Sequence, residues 1–238
     1  MRIKWLGHAS VLITSESGLN IITDPYEPGY HATPAGSLMY DAISESADIV
    51  AITHPHPDHD ALSVRGNPEI VKGMEIRGKD SVNVKGIEFR AISTFHDSKE
   101  GKLFGENTIL GCNVDGVWVY HSGDIGHVLS DAQLAKLGEV DVLLLCIGLI
   151  EKEGPDLSKF VIDTKASVVN RVYEQIRPKR LIPIHFRNSK CDFRFISVSE
   201  FLQGKGNVSY LDVSEIALHK RLLDRRPDPQ IIVLRPSK

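Results

Sequence analysis

The stretch "DIVAITHPHPDHD", residues 48–60, constrains the fold most. Its first half is β-branched and apolar and reads as a buried strand. Its second half packs three histidines and two aspartates into eight positions, 53–60. A strand that runs directly into such side chains puts its carboxyl end at a site, where open α/β sheets usually carry them. Pro55 and Pro57 bias His54 and His56 towards extended backbone. Residues two apart on an extended chain point the same way, so His54 and His56 can face one metal. The helical H-E-x-x-H arrangement is excluded by the same prolines. Asp58 and His59 are adjacent, would point apart on an extended chain, and suit a second centre beside the first. Imidazole with carboxylate fits zinc, iron or manganese.

Other strand-like runs surround this one: "RIKWLG", "SVLITS", "LNIITD", "VNVKGIEFRAIST", "NTILGCNV", "VWVYHSG", "VDVLLLCIG", "RLIPIHF" and "QIIVLRP". Helical patterns fall between some of them. "LSDAQLAKLG" has Ser130 as N-cap and Gly138 as stop, and "DTKASVVNRVYEQIRP" ends at Pro178. "SVSEFLQGKG" reads as a short helix, and residues 37–46 as a weak one. Two long loops, 24–37 and 150–160, are candidates for function.

Net charge is −3, which weighs against nucleic acid as the main partner. The longest apolar run, "VDVLLLCIGLI", is too short to span a bilayer, so no membrane role is expected. Cys112, Cys146 and Cys191 are odd in number and form no C-x-x-C pair, so neither a disulfide framework nor a cysteine-rich zinc site is expected. The N-terminal residues carry no signal-peptide pattern, and the expected location is cytoplasmic.

H-x-H-x-D-H after a strand resembles the signature of the metallo-β-lactamase-fold hydrolases. "WLGHASVLI", "FHD…NTI", "GDIGHVL", "VIDTKAS" and "IPIHF" resemble, in that order, its small zinc-dependent branch, which is related to L-ascorbate-6-phosphate lactonase-like proteins. The resemblance runs from Arg2 to the "IIVLRP" strand. It implies an α/β (α+β) fold: a four-layer αββα sandwich of two mixed sheets, helices on the outer faces, residues 1–238 forming one domain. It also implies two divalent metal ions, zinc first, with manganese or iron as alternatives. The implied first site is His54, His56 and His96, and the second is Asp58, His59 and His185. Asp124 would touch both metals, and Asp24 would support them from behind.

The implied chemistry is attack by a metal-bound hydroxide on an ester-like bond, a lactone or ester, in a small molecule that can carry phosphate. Asp58 would orient the nucleophile, and His121 or His8 would protonate the leaving group. The alternatives are a small-molecule or nucleotide phosphodiesterase and a non-catalytic metal-binding module. About sixty residues separate Asp124 from His185, too few for the inserted domain of the large nucleases of this superfamily. A di-iron flavoprotein is disfavoured, because His56 stands where those proteins resemble H-x-E-x-D. His127, His31 and Arg187 are further candidates to touch substrate. "RPKR" and "KRLLDRR" could contact phosphate but read first as solvated faces, and His219 as surface. One departure is "LIEKEGPDLSKFVIDT" after "LLLCIG", where relatives have a short Gly- and Thr-containing turn; this longer loop is expected to border the pocket and alter selectivity.

Overall fold

The computed structural model describes residues 1–32, 36–148, 165–225 and 229–238. The expected loop at 150–160 and part of the loop at 24–37 lie outside them. The first half of the chain supplies strands β1 (Arg2–Gly7), β2 (Ser10–Thr14), β3 (Asn20–Thr23), β4 (His31–Ala32), β5 (Gly36–Ser37), β6 (Ser46–Ile52) and β7 (Arg65–Lys72). The next strands are β8 (Val82–Val84), β9 (Ile87–Phe95), β10 (Glu106–Val114), β11 (Val117–His121) and β12 (Val142–Cys146). The last are β13 (Arg180–Ile184), β14 (Val208–Tyr210), β15 (Glu215–Ala217) and β16 (Gln230–Val233). The helices are few: α1 (Gly73–Ile76), α2 (Asp131–Leu137), α3 (Lys165–Ile176), α4 (Val198–Phe201) and α5 (Lys220–Leu223).

Two mixed sheets result, in the orders β15-β1-β2-β3-β6-β7 and β14-β16-β13-β12-β11-β10-β9-β8. Strand alternation explains how they pack. Val11 and Ile13 of β2 join the main core with Phe89, Ile109 and Leu144 of the other sheet. Leu12, between them, points the opposite way and packs with Tyr26, Leu38 and Phe193. β12 is buried at all five positions, as expected for a parallel strand covered on both faces.

Local signals explain the elements that were foreseen. Ser130 caps α2 in a capping box with Gln133, and Gly138 takes φ 63° where the helix stops. "VNVKGIEFRAIST" divides into β8 and β9 because Lys85 and Gly86 both take positive φ, at 50° and 83°. Residues 37–46 form no helix; β5, an isolated bridge at Leu38 and irregular chain replace it. β7 was not foreseen, because "RGNPEIVK" contains Gly66 and Pro68 and is largely exposed, with no apolar alternation. Among the described residues, no helix is long and apolar enough to cross a membrane.

Candidate metal centre

The carboxyl ends of β1, β3, β6, β9, β11 and β13 meet at one edge of the two sheets. The residues just past them are His8, Asp24, the segment from Thr53 to His59, His96, Asp124 and His185. Three of these, His8 (φ 49°), Asp24 (φ 37°) and His185 (φ 56°), hold left-handed backbone without being glycine. Such strain clusters where a side chain must be aimed at a site.

The histidine-rich segment reaches this edge by turning, not by staying extended. The His56 N–H donates to the His54 carbonyl (3.1 Å), closing a tight turn on Pro55, whose fixed φ suits it. The His59 and Asp60 N–H groups then both donate to the His56 carbonyl (2.8 and 3.0 Å). This second turn overturns the expectation that Asp58 and His59 point apart. Asp58 Oδ2 lies 3.7 Å from His59 Nε2. His54 and His56 converge as expected, with Nε2 of one 3.1 Å from Nδ1 of the other.

Two of the donor groups at this edge hold the expected ligands. His54, His56 and His96 bring one ligand atom each within 4.8 Å of one another, as do Asp58, His59, His185 and His8. Asp124 Oδ2 sits between the groups, 3.1 Å from His96 Nε2, 3.5 Å from His59 Nε2 and 3.7 Å from His185 Nε2. The expected ligands therefore lie together.

Hydrogen bonds decide which ring nitrogens are free. Asp24, fully buried, accepts from the Thr53 N–H (2.8 Å), the Thr53 hydroxyl (2.6 Å) and His59 Nδ1 (2.9 Å). A carboxylate only accepts, so His59 carries its proton on Nδ1 and presents Nε2 to the cluster. Because the Thr53 hydroxyl gives its hydrogen to Asp24, its oxygen accepts from His54 Nδ1 (2.9 Å). His185 Nδ1 donates to the Gly148 carbonyl (2.7 Å), and the Gly148 N–H donates back to the His185 carbonyl (2.7 Å). His54, His59 and His185 thus all turn Nε2 inward. Asn107 Oδ1 accepts from the Asp124 N–H (3.1 Å), and Asp97 gathers four backbone N–H groups to fix the loop after His96.

This donor set fits metal. Seven buried side-chain N or O atoms among the described residues lack any hydrogen-bond partner, and five belong to the cluster: His8 Nδ1, His59 Nε2, His96 Nδ1, Asp124 Oδ1 and His185 Nε2. Buried polar atoms are normally paired, so this concentration calls for a partner. The 3.1 Å between His54 Nε2 and His56 Nδ1 is close to the roughly 3.3 Å edge of a tetrahedral zinc site with bonds of about 2.0–2.1 Å. Burial lowers the pKa of His54, His56 and His185, leaving them as neutral ligands. Burial pulls His59 the same way, but the Asp124 and Asp58 carboxylates outweigh it and raise its pKa well above the ordinary range. Burial would raise Asp124, yet the neighbouring His185 and His59 hold it well below the usual carboxylate range.

The pull of the Asp124 and Asp58 carboxylates favours a proton on the inward His59 nitrogen, so an ion bound there competes with that proton. Metal titration by calorimetry in buffers of different ionisation heat is expected to show proton release on binding, and tighter binding as pH rises. A second position on Gly148 is equally sensitive. A Cβ there would overlap the His185 carbonyl oxygen and the Phe195 ring. Gly148→Ala is expected to cost about 1–3 kcal/mol in urea unfolding and to loosen metal held through His185.

The expected proton donors and substrate contacts are placed differently from expectation, whereas His219 and the basic runs lie as expected. His121 does not stand ready to protonate a leaving group. Its Nε2 donates to the Ala9 carbonyl (2.8 Å), its Nδ1 accepts from the Gly123 N–H (3.0 Å), and the residue is 2% exposed. His8, buried beside the cluster, points Nε2 at Asp58 Oδ2 (3.1 Å) and packs its ring 4.2 Å from that of His185. Burial lowers its pKa, so the neutral ring has one proton, committed to Asp58. His127 spends both nitrogens on the Phe95 N–H and the Val128 carbonyl. Arg187 is 54% exposed and pairs with Glu200 (3.5 Å). His219 is exposed and pairs with Glu16, and His31 lies exposed on β4. In the basic runs, Lys179 and Lys220 pair with Asp141 and Asp224. Thr53, Asn107 and Asp97 were missed by sequence reasoning. Each left a signal: Thr53 and Asp97 are adjacent to candidate ligand histidines, and Asp97 and Asn107 lie in the "FHD…NTI" motif.

The site and the fold define a class, the metal-binding αβ sandwiches of the metallo-β-lactamase type. Residues 2–185 match the β-lactamase superfamily domain, a span that includes every donor residue described above, and the chain belongs to that superfamily. It is 29% identical over 212 residues to a UPF0173 metal-dependent hydrolase of Methanopyrus kandleri, covering 78% of this chain and 84% of that one. A UPF0173 metal-dependent hydrolase of Methanosarcina barkeri is 27% identical and spans 100% of this chain and 97% of its own length. Among solved structures, a metallo-β-lactamase superfamily protein of Thermotoga maritima, provisionally designated a zinc-dependent hydrolase, superposes with TM-score 0.70. It is 26% identical and covers 98% of this chain and 97% of that one.

Proposed function

We propose that this protein is a two-metal hydrolase cleaving an ester-like bond, a lactone or ester, in a small molecule. The observation that supports it best is the inward convergence of unpartnered nitrogens on His59 and His185 around Asp124. In this reading His54, His56 and His96 hold one ion, Asp58, His59 and His185 hold the other, and Asp124 lies between. When bound, the ions supply an acidified water and polarise the substrate oxygen under attack. Against the pull of burial, His59 and His8 keep Asp58 ionised, and it orients the nucleophile while His8 holds Oδ2. His8 is therefore a positioning residue, and His121 braces the backbone behind the site. The buried, unpaired state of all three cysteines accords with a reducing, cytoplasmic location. Because both sheets contribute ligands, residues 1–238 are read as one hydrolase domain.

The test is to strip the protein with chelator, reload it with zinc or manganese, and assay aryl esters, lactones and phosphodiesters. Ester or lactone turnover that returns with metal is the expected result. Turnover of phosphodiesters alone would replace this reading with a phosphodiesterase. Metal uptake without turnover of any class would leave a binding module.

A further inference from the structure

Cys146, the last residue of β12, is buried and unpaired. Its strand lies between β11 and β13, which deliver Asp124 and His185 to the site. The Cys146 sulfur, a carboxylate oxygen of Asp124 and a ring nitrogen of His185 all lie within 4.8 Å of one another. Asp124 Oδ1 and His185 Nε2, both more than nine-tenths buried, have no hydrogen-bond partner. The other two cysteines belong elsewhere: Cys112 is in the main core and Cys191 packs with Phe193 and Phe195. The metal set described above contains only nitrogen and oxygen donors, and this sulfur lies within 4.8 Å of two of them.

We infer that Cys146 is a sulfur donor to the second metal position, making that position selective for thiophilic ions. This rests on the two-metal reading above. On ligation the S–H bond breaks, its proton passes through water to buffer, and the sulfur electron pair forms the metal bond; no oxidant or reductant is consumed. Soft thiolate favours zinc and cadmium, whereas carboxylate and imidazole alone suit manganese. A protein using Cys146 should therefore rank cadmium far above manganese at one position of its pair.

The experiment is cobalt(II) loading of the full chain after chelation, followed by optical spectroscopy. The expected spectrum shows visible cobalt bands together with a near-ultraviolet sulfur-to-cobalt charge-transfer band. That band should vanish in Cys146→Ser and Cys146→Ala and persist in Cys112→Ser. The cadmium-over-manganese preference at the second position should also fall by about tenfold or more in both Cys146 variants. Visible cobalt bands without the charge-transfer band in the wild type would overturn the inference and leave the two-metal reading intact. So would a band that survives in folded Cys146→Ser or Cys146→Ala. Failure to bind cobalt at all would overturn both.

Discussion

Asp124→Ala is expected to lower metal-dependent hydrolysis by at least about 10³-fold, equivalent to about 4 kcal/mol of transition-state stabilisation. The reason is its position. Asp124 Oδ2 is the atom that faces His96 on one side and His59 and His185 on the other. Alanine removes the carboxylate that lies between the two donor groups. It also removes the negative charge that raises the pKa of His59. The Asn107 contact to the Asp124 N–H involves only backbone on that side, so the loop can keep its course. The variant should fold, as judged by circular dichroism, while kcat falls and metal content drops. A loss confined to KM would mean that Asp124 only contacts substrate.

Asp24→Asn should weaken binding of the second ion by about 10- to 100-fold, although Asp24 touches no metal in this account. The carboxylate accepts from three donors on two residues, Thr53 and His59. An amide has one accepting oxygen and would set its NH₂ either against the Thr53 backbone N–H or against the Thr53 hydroxyl and the His59 imidazole N–H together. Either His59 takes the other tautomer, turning a protonated Nε2 towards the cluster, or a buried donor goes unpaired. The second outcome costs about 1–3 kcal/mol of stability. Metal affinity by competition with a chromophoric chelator, read beside urea unfolding, separates the two. Unchanged affinity for both ions would show that the Asp24 bonds serve folding alone.

The convergence of the candidate ligands was legible in the sequence because each follows a strand-like run, and strand ends from one edge can converge however distant they are along the chain. His96, Asp124 and His185 are of this kind. The geometry of the histidine-rich segment was less legible. Proline bias suggested extended chain for His54 and His56, but Pro55 is also compatible with the tight turn that occurs. The turn after it depends on the His56 carbonyl collecting two N–H groups, and no side chain announces that. The Gly148 carbonyl that fixes the His185 tautomer is likewise backbone, with no residue-type signature. His121 and Arg187 misled for the opposite reason. Proximity in sequence to Asp124 and His185 suggested reach, whereas hydrogen bonds to Ala9 and Gly123, and an ion pair with Glu200, commit them elsewhere. In the fold, β7 was hidden by exposure, and the helix expected at 37–46 was overridden by pairing around Leu38.

Metal content tests the central claim most directly. The protein should be purified without added metal and analysed by inductively coupled plasma mass spectrometry, beside His96→Ala and His185→Ala. Two separate donor groups joined by Asp124 predict about two ions per chain in the wild type and about one in each variant. Two ions retained in both variants would contradict the assignment of His96 and His185 as ligands, and with it the account of the site.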